Sequence, residues 1–271
     1  MTQKSLLPVA LCIIFFGTSI FVFSGRKPVK LVEKKSIRVI YVVPGTGMGD
    51  EEMGRRRKIL QAHAGEGVEV SIVESKVGPL SIESAYDEYL SVPESILRAI
   101  EAEKAGYDGI ILGCFADPGI DAIREMVKIP VVGPGETSML VGAMLGRKFS
   151  IISIFDSEAS GWEIFAKKVG IESKLVSVRA VNVPVLDLAK HFEDTKKKMI
   201  EEAKKAKEID RADVIVLGCM SMAFMNVSDE MQEKLGIPVV NPAIVSLKVL
   251  ESLIESNLTH SKTAYPLPPK L

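Results

Sequence analysis

The sequence predicts an α/β protein of two similar open parallel-sheet lobes, related by a pseudo-two-fold axis, with the active site in the cleft between them. From residue 37 onward, short apolar runs alternate with longer amphipathic stretches, as in α/β folds. The short runs are rich in Val and Ile and lack polar alternation, which is typical of parallel strands buried on both faces. One run and the residues that end it also occur twice along the chain.

Eight of the apolar runs are predicted as strands. In chain order they are IRVIYVV, GVEVSIV, DGIILGC, IPVVG, FSIISIF, KLVSVRAV, DVIVLGC and IPVVNP. Between them, VPESILRAIEAEKAG and AKHFEDTKKKMIEEAKKAKEID show helical spacing with charged outer faces, so the basic run 196–198 is interpreted as a solvated helix surface. We assign residues 36–140 to the first lobe and residues 141–271, with a C-terminal helix, to the second.

The repeated run places a cysteine at the end of two matching strands. Its residues are Asp108, Ile110, Leu112, Gly113 and Cys114 in the first copy, and Asp213, Ile215, Leu217, Gly218 and Cys219 in the second. Ligands bind at the carboxyl ends of strands in open α/β sheets, so we expect each lobe to place one thiol at the cleft. The alternative is that both cysteines are small buried residues at strand ends.

Two opposed thiols suit the inversion of a stereocentre beside a carbonyl. One group must remove a proton from one face while a second group delivers a proton to the other. A cysteine can act as the base when a helix N-terminus lowers its pKa. We expect such a helix after Cys114, with Asp117 as its N-cap and Pro118 at its first position.

Two segments carry a family resemblance. Residues 78–136, which include the motif CFADPG, and the segment VLGCMSMA resemble the hydantoin racemase and allantoin racemase branch of the aspartate/glutamate racemase superfamily. The likeness covers about residues 37–255. It implies an enzyme that needs no cofactor and uses two cysteines, here Cys114 and Cys219, as an acid/base pair.

The resemblance also bears on the substrate. Phe115 and Ala116 stand where the amino-acid racemase branches carry Asn-Thr, which favours a cyclic amide over a free amino acid. The first strand ends in Val-Pro-Gly-Thr at residues 43–46, where the family commonly has Asn-Pro-Asn-Thr, and this departure leaves the exact substrate open.

We therefore expect a cofactor-independent racemase of 5-substituted hydantoins or related cyclic ureides. The alternatives are an allantoin or aspartate/glutamate racemase, a single-thiol decarboxylase or cis–trans isomerase, and, from another class, a non-catalytic membrane-tethered small-molecule binding protein. The substrate-binding candidates stand at or near predicted strand ends: Pro44, Thr46, Phe115, Ala116, Gly135, Glu136, Met220 and Ser221. The methionines Met220, Met222 and Met225 fit either the core or an apolar substrate wall.

The sequence gives little support for a nucleic-acid, metal, cysteine-hydrolase or dinucleotide site. The formal net charge of −1 gives no basic excess, so no nucleic-acid partner is expected. The histidines His63, His191 and His260 lack ligand spacing, so no metal site is expected, and none stands where a cysteine hydrolase would need it. The turn PGTGMGDE has Asp50 in place of the third glycine of a dinucleotide-binding motif, and we interpret it as a mobile loop over the cleft.

Residues 1–35 are predicted to lie outside the fold. Residues 5–24 carry no charge, and about 20 such residues can span a bilayer as a helix. Positive residues follow this segment more densely than they precede it, which predicts an anchor with a cytoplasmic catalytic domain. A cleavable signal and an unused upstream start codon are the alternatives. We also expect a homo-oligomer.

Overall fold

The computed structural model describes residues 36–270, and these form two four-stranded parallel sheets with helices on both faces. The strands of the first sheet are β1 (Ile37–Val43), β2 (Val68–Glu74), β3 (Gly109–Leu112) and β4 (Val131–Val132), and those of the second are β5 (Phe149–Ser153), β6 (Leu175–Ala180), β7 (Val214–Leu217) and β8 (Val239–Val240). The first sheet has the order β2-β1-β3-β4, and the second has the order β6-β5-β7-β8. All eight predicted strands are confirmed.

Helices connect the consecutive strands in both halves. They are α1 (Asp50–His63), α2 (Ala85–Lys104), α3 (Ile120–Met126), α4 (Pro134–Leu145), α5 (Ala159–Val169), α6 (Phe192–Glu208), α7 (Met220–Ala223), α8 (Ser228–Leu235) and α9 (Pro242–Glu255). Helix α2 begins before the predicted stretch and contains Pro93, while the Ser84 side chain accepts a hydrogen bond from the Asp87 N–H at its start. Within the described residues, no helix is long and apolar enough to cross a membrane. The uncharged segment 5–24 lies outside the described residues.

The two copies of the Gly-Cys motif occupy equivalent positions. The Gly113 N–H donates to the Val42 carbonyl at 2.7 Å, and the Gly218 N–H donates to the Ile152 carbonyl at 2.8 Å. A Cβ at Gly113 would lie 2.6 Å from that same Val42 oxygen, so only glycine allows the chain to pass so close to the neighbouring strand. The two copies of the sequence repeat therefore have the same backbone geometry at the ends of their strands.

The helices α4 and α9 each pack on the sheet of the opposite half. Met139 of α4 is buried with Phe149 and Val216 of the second sheet. Leu247 of α9 is buried with Val39 of the first sheet. The boundary placed at residue 140 falls inside α4, and this exchange of helices makes residues 35–271 one compact unit.

The basic run 196–198 lies on α6. Lys197 and Lys198 are exposed, as expected for a solvated helix surface. Lys196 instead lies over the Phe192 ring and forms ion pairs with Glu193 and Glu230. Its side chain is 20% exposed, because the aliphatic stem covers apolar surface while the ammonium stays paired.

Candidate active site

A cavity of about 590 Å³ is lined by residues at the carboxyl ends of both sheets. The segment after β3 contributes Gly113 to Ala116, and the segment after β7 contributes Gly218 to Ser221. Cys114 is partly buried, Cys219 is buried, and both are free thiols. The tertiary structure therefore brings the two motif cysteines into one cavity.

The Cys114 thiol lies in an apolar and acidic environment. Burial raises its pKa, the Ala116 N–H opposes that shift by hydrogen bonding, and the negative charges of Glu88 and Asp117 add to it. The next residue, Phe115, packs edge-on against Trp162 with ring centroids 5.1 Å apart. This aromatic pair belongs to the cavity wall on the Cys114 side.

The Cys219 thiol lies at the start of α7. Burial raises its pKa, while hydrogen bonds from the N–H groups of Met222 and Ser221 lower it. The charge of Glu158 raises this pKa further and the charge of Arg56 lowers it. The start of α7 thus places two backbone N–H donors on this thiol.

Arg56 of α1 is a cavity residue that the sequence did not single out. Its side chain is 8% exposed, and its Nε donates to Glu52 Oε1 at 2.7 Å. Its Nη2 donates to Ser221 Oγ at 3.1 Å, and its guanidinium lies 4.8 Å from the centre of the Phe224 ring. It stands within the run RRR, where two neighbouring arginines are exposed, and nothing in that pattern marks the middle residue.

Tyr41 of β1 lies beneath the cavity. Burial raises the pKa of its hydroxyl, and the charge of Arg56 and a hydrogen bond from Arg56 oppose that shift. The hydroxyl donates to the Gly113 carbonyl at 3.2 Å. Tyr41 thus connects Arg56 to the residue that precedes Cys114.

Carboxylates face the cavity from α2 and from the segment before α5. Burial raises the pKa of Glu88, and the charges of Glu158 and Asp87 raise it further. Glu158 accepts hydrogen bonds from the Ser153 hydroxyl and from the Ile154 N–H, the latter at 3.3 Å. Both glutamates line the cavity, and the sequence analysis missed them.

Seven of the predicted site residues line the cavity, and three do not. Those in the lining are Pro44, Cys114, Phe115, Ala116, Cys219, Met220 and Ser221. Thr46 is turned away, since its hydroxyl donates to the Gly78 carbonyl at 3.3 Å. Gly135 lies behind Phe115, because a Cβ on it would come within 1.9 Å of the Phe115 oxygen. Glu136 pairs with Arg124 at 2.9 Å. Thr46, Gly135 and Glu136 therefore lie outside this cavity lining, and contact of the other seven residues with the substrate stays a prediction.

The predicted N-cap at Asp117 is also corrected. Helix α3 begins at Ile120 rather than Pro118, and Asp117 has a φ of 52°. Its carboxylate instead accepts hydrogen bonds from the Gly135 and Glu136 N–H groups at the start of α4, at 3.0 and 2.8 Å. Burial raises the pKa of Asp117 to about 7, although these two hydrogen bonds oppose the shift.

The methionines and the turn after β1 have mainly structural surroundings. Met222 and Met225 are buried in the core, while Met220 contributes to the cavity wall. The turn after β1 is held by hydrogen bonds, including one from the Met48 N–H to Glu74 Oε2 at 3.0 Å. Among residues 36–270, no group of three or more His, Cys, Asp or Glu side chains is arranged to hold a metal ion.

Known proteins resemble this chain in sequence and in fold. The family model Asp/Glu/Hydantoin racemase matches residues 52–250. The chain belongs to this racemase family. It is 33% identical over 203 residues to a hydantoin racemase of Pseudomonas sp. (strain NS671), covering 74% of this chain and 81% of that protein. It is also 33% identical over 191 residues to a hydantoin racemase of Rhizobium meliloti, covering 69% and 78%.

A solved structure extends the family relation to three dimensions. An allantoin racemase from Klebsiella pneumoniae superposes on this racemase with a TM-score of 0.82 at 26% sequence identity, covering 87% of this chain and 95% of that one. The chain is therefore an isomerase of the racemase class with the α/β architecture of this family. The family match spans α1 to most of α9 and so includes both cysteine motifs.

Proposed function

We propose that this racemase inverts C5 of 5-substituted hydantoins or related cyclic ureides by proton transfer between Cys114 and Cys219. The observation that carries the proposal is that the two sheets each present one thiol to the same cavity. Relatives named hydantoin racemase, at 33% identity, support this substrate class. The structural likeness to an allantoin racemase supports a ureide in particular.

The chemistry needs one thiolate and one thiol. The thiolate removes the C5 proton, whose bonding electrons move into the adjacent carbonyl to form an enolate. The opposite thiol then protonates C5 from the other face, the carbonyl re-forms, and the two sulfurs have exchanged ionisation states. Every proton and electron is accounted for by substrate and thiols, so no cofactor is required.

The charges of the two thiols favour this singly ionised state. The charge of Cys219 raises the pKa of Cys114, so ionisation of one thiol disfavours ionisation of the other. Burial disfavours a second thiolate further. Simultaneous ionisation of both thiols is therefore disfavoured, which suits a racemisation that uses one thiolate and one thiol.

Backbone donors are available to the enolate. The N–H groups after each cysteine, in the segments Phe115–Ala116 and Met220–Ser221, lie at the cavity wall. Fixed donors aimed at developing negative charge commonly lower a barrier of this kind. We infer that these segments stabilise the enolate oxygen once substrate is bound.

The cavity has room for more than the ring. Its volume of about 590 Å³ lies in the usual range for small-molecule sites and leaves space for a C5 substituent. Phe115, Trp162 and Phe165 form an aromatic wall there. A substituent with an apolar stem is expected to lie against these rings.

The test follows the loss of optical activity from single enantiomers of benzyl-, isopropyl- and ureido-substituted hydantoins, with D-aspartate and D-glutamate as comparison substrates. In deuterated water, each turnover should place deuterium at C5. Racemisation of the acidic amino acids alone would replace the proposed substrate class. Tight binding of hydantoins with no exchange at C5 would instead support a binding protein.

We propose that the racemase forms a homo-oligomer and that residues 5–24 anchor it to the membrane with the catalytic unit in the cytoplasm. Sedimentation of a chain lacking the segment tests the first, and fractionation of the full chain tests the second.

A further inference from the structure

Arg56 is the only cation among the described residues that line the cavity, whereas three glutamates share that lining. Its side chain is almost fully buried, at 8% exposure. A buried guanidinium is costly unless its donors are matched, and here Glu52, Ser221 and Tyr41 supply partners. The surroundings of Arg56 therefore stabilise its positive charge.

The partners of Arg56 lead to both thiols. Ser221, which accepts from Arg56 Nη2, is also the residue whose N–H hydrogen-bonds the Cys219 sulfur. Tyr41, which interacts with Arg56, donates to the carbonyl of Gly113 beside Cys114. One arginine on α1 thus touches the cysteine segment of the second lobe directly and that of the first lobe through one hydroxyl.

The arginine cluster carries an excess positive charge. Glu52 accepts hydrogen bonds from Arg55 at 2.6 and 2.7 Å as well as from Arg56. One carboxylate shared between two guanidinium groups leaves a net positive charge beside Cys219. The charges that act most strongly on Cys114 are all negative, namely those of Cys219, Glu88 and Asp117.

The groups around Cys219 come from several elements. Arg56 approaches from α1, Glu158 from the segment before α5, and Tyr41 from β1, while Met222 and Ser221 supply N–H groups from α7. The charge of Glu158 opposes ionisation of Cys219 more strongly than the charge of Arg56 favours it. Cys219 thus has two N–H donors and one cation beside one carboxylate, whereas Cys114 has one N–H donor and acidic neighbours.

We propose that Arg56 is a positioning residue that favours the thiolate of Cys219 over the thiolate of Cys114, so that Cys219 carries the negative charge when one thiol of the pair is ionised. The inference rests on the proposed two-thiol function and states which thiol ionises first. The singly ionised enzyme then accepts the enantiomer whose C5 proton faces Cys219. The opposite enantiomer reacts only after a proton has moved between the two sulfurs.

The difference between the two thiols should affect kcat and KM for the two enantiomers, but not their ratio. Because the equilibrium constant of a racemisation is one, kcat/KM must be equal for the two enantiomers. A preferred resting state can therefore make kcat and KM differ between the two enantiomers, but only by the same factor, so that their ratio stays equal. Loss of the Arg56 charge should bring the two KM values closer.

The decisive experiment titrates each thiol alone by the ultraviolet absorbance of its thiolate. Cys219 is isolated by combining C12S with C114S, and Cys114 by combining C12S with C219S. In the Cys219 protein, Arg56→Gln should raise the titration midpoint by about one pH unit, a tenfold change in ionisation equilibrium. Arg56→Lys should stay near the parent, because the charge is kept.

Matched controls separate charge from folding. Arg57→Gln removes the exposed neighbour of Arg56 and should leave the midpoint unchanged. In the Cys114 protein, Arg56→Gln should shift the midpoint less. Equal shifts for both thiols, or none for Cys219, would overturn the proposal. If Arg56→Gln melts early, Arg56→Lys still tests the charge argument, because a large shift of the midpoint in a variant that keeps the positive charge would contradict it.

The titration needs no substrate, which keeps the two proposals apart. A midpoint for Cys219 that rises when Arg56 is replaced by Gln, without any turnover of hydantoins, would support this inference and contradict the proposed substrate class. Racemisation of hydantoins by the wild type, with a Cys219 midpoint that does not change when Arg56 is replaced, would support the proposed function and contradict this inference.

Discussion

At the start of α4, the carboxylate of Asp117 occupies the place that the side chain of Asn241 occupies at the start of α9. Asn241 Oδ1 accepts from the Ala243 and Ile244 N–H groups at 3.0 and 3.4 Å, and Asp117 accepts from the corresponding second and third residues of α4. The residue before α4 is Gly133, and a Cβ there would lie 2.4 Å from the Asp117 carboxyl carbon. The first lobe thus caps its exchanged helix from the Cys114 segment.

This cap predicts a pH-dependent contribution to stability. Burial places the pKa of Asp117 at about 7, above the ordinary value near 4. A raised folded-state pKa gives stability that is fully present below about 4 and lost as the pH rises through about 7. Asp117→Asn should abolish that loss, because one amide oxygen can accept both N–H groups as Asn241 does.

Urea unfolding from pH 4 to pH 8 measures the effect. The free energy of unfolding of the wild type, minus that of D117N, should fall across this window. Asn241→Ala is the matched control: it should cost about 1 kcal/mol through loss of a cap and add no slope with pH. A difference between wild type and D117N that stays flat with pH would refute a protonated Asp117.

The two thiols are expected to be individually necessary. Cys114→Ser and Cys219→Ser should each lower racemisation by roughly 10²- to 10⁴-fold, because serine supplies no usable base near neutral pH. Each variant should still exchange the C5 proton of one enantiomer with deuterium, since a single base can return a proton to its own face. Nuclear magnetic resonance of C5 measures both.

Cys12→Ser provides the control for this pair, because Cys12 is neither of the proposed bases and lies outside the residues that the structure describes, so the substitution should not affect turnover. Substantial racemisation by either single-thiol variant would end the two-base mechanism. Exchange of the same enantiomer in both variants would show that the thiols do not address opposite faces.

The acidic wall predicts discrimination by substituent charge. Glu88 and Glu158 face the cavity, while the charge of Arg56 is shared with Glu52. Hydantoins with a positive or neutral C5 substituent should therefore have a higher kcat/KM than an equally long carboxylate-bearing one. Glu88→Gln should reduce the preference roughly fivefold, since a partly exposed pair contributes up to about 1 kcal/mol.

Glu69→Gln, at an exposed position on β2, should leave the preference intact. Measurements of kcat/KM for aminobutyl-, pentyl- and carboxyethyl-hydantoin decide the matter. Equal rates for all three substituents would show that the glutamates do not face the substrate.

A chain beginning at Lys35 should keep its activity. The residues that line the cavity fall between Val43 and Ser221, and residues 35–271 form one compact unit. Turnover per active site and melting temperature should match those of the full chain. An inactive truncated chain would show that residues 1–34 contribute to the site, and a full chain absent from membrane fractions would contradict the anchor.

The cysteine motifs could be predicted from the sequence because their information is local. A strand of Val, Ile and Leu followed by Gly-Cys is recognisable within seven residues, and its second occurrence shows that the geometry is repeated. The parallel strands were equally readable, since burial on both faces leaves near-continuous apolar runs. The racemase family followed from the same segments.

The tertiary structure alone decided the rest. Arg56 and Arg57 are adjacent and chemically identical, yet one is buried against Ser221 and Phe224 while the other is exposed. Asp117 looked like the cap of the helix that follows it, but it caps a helix whose start lies beyond the next strand. Burial and partners depend on which helix packs on which sheet, and the exchange of α4 and α9 is a long-range arrangement that no local pattern encodes.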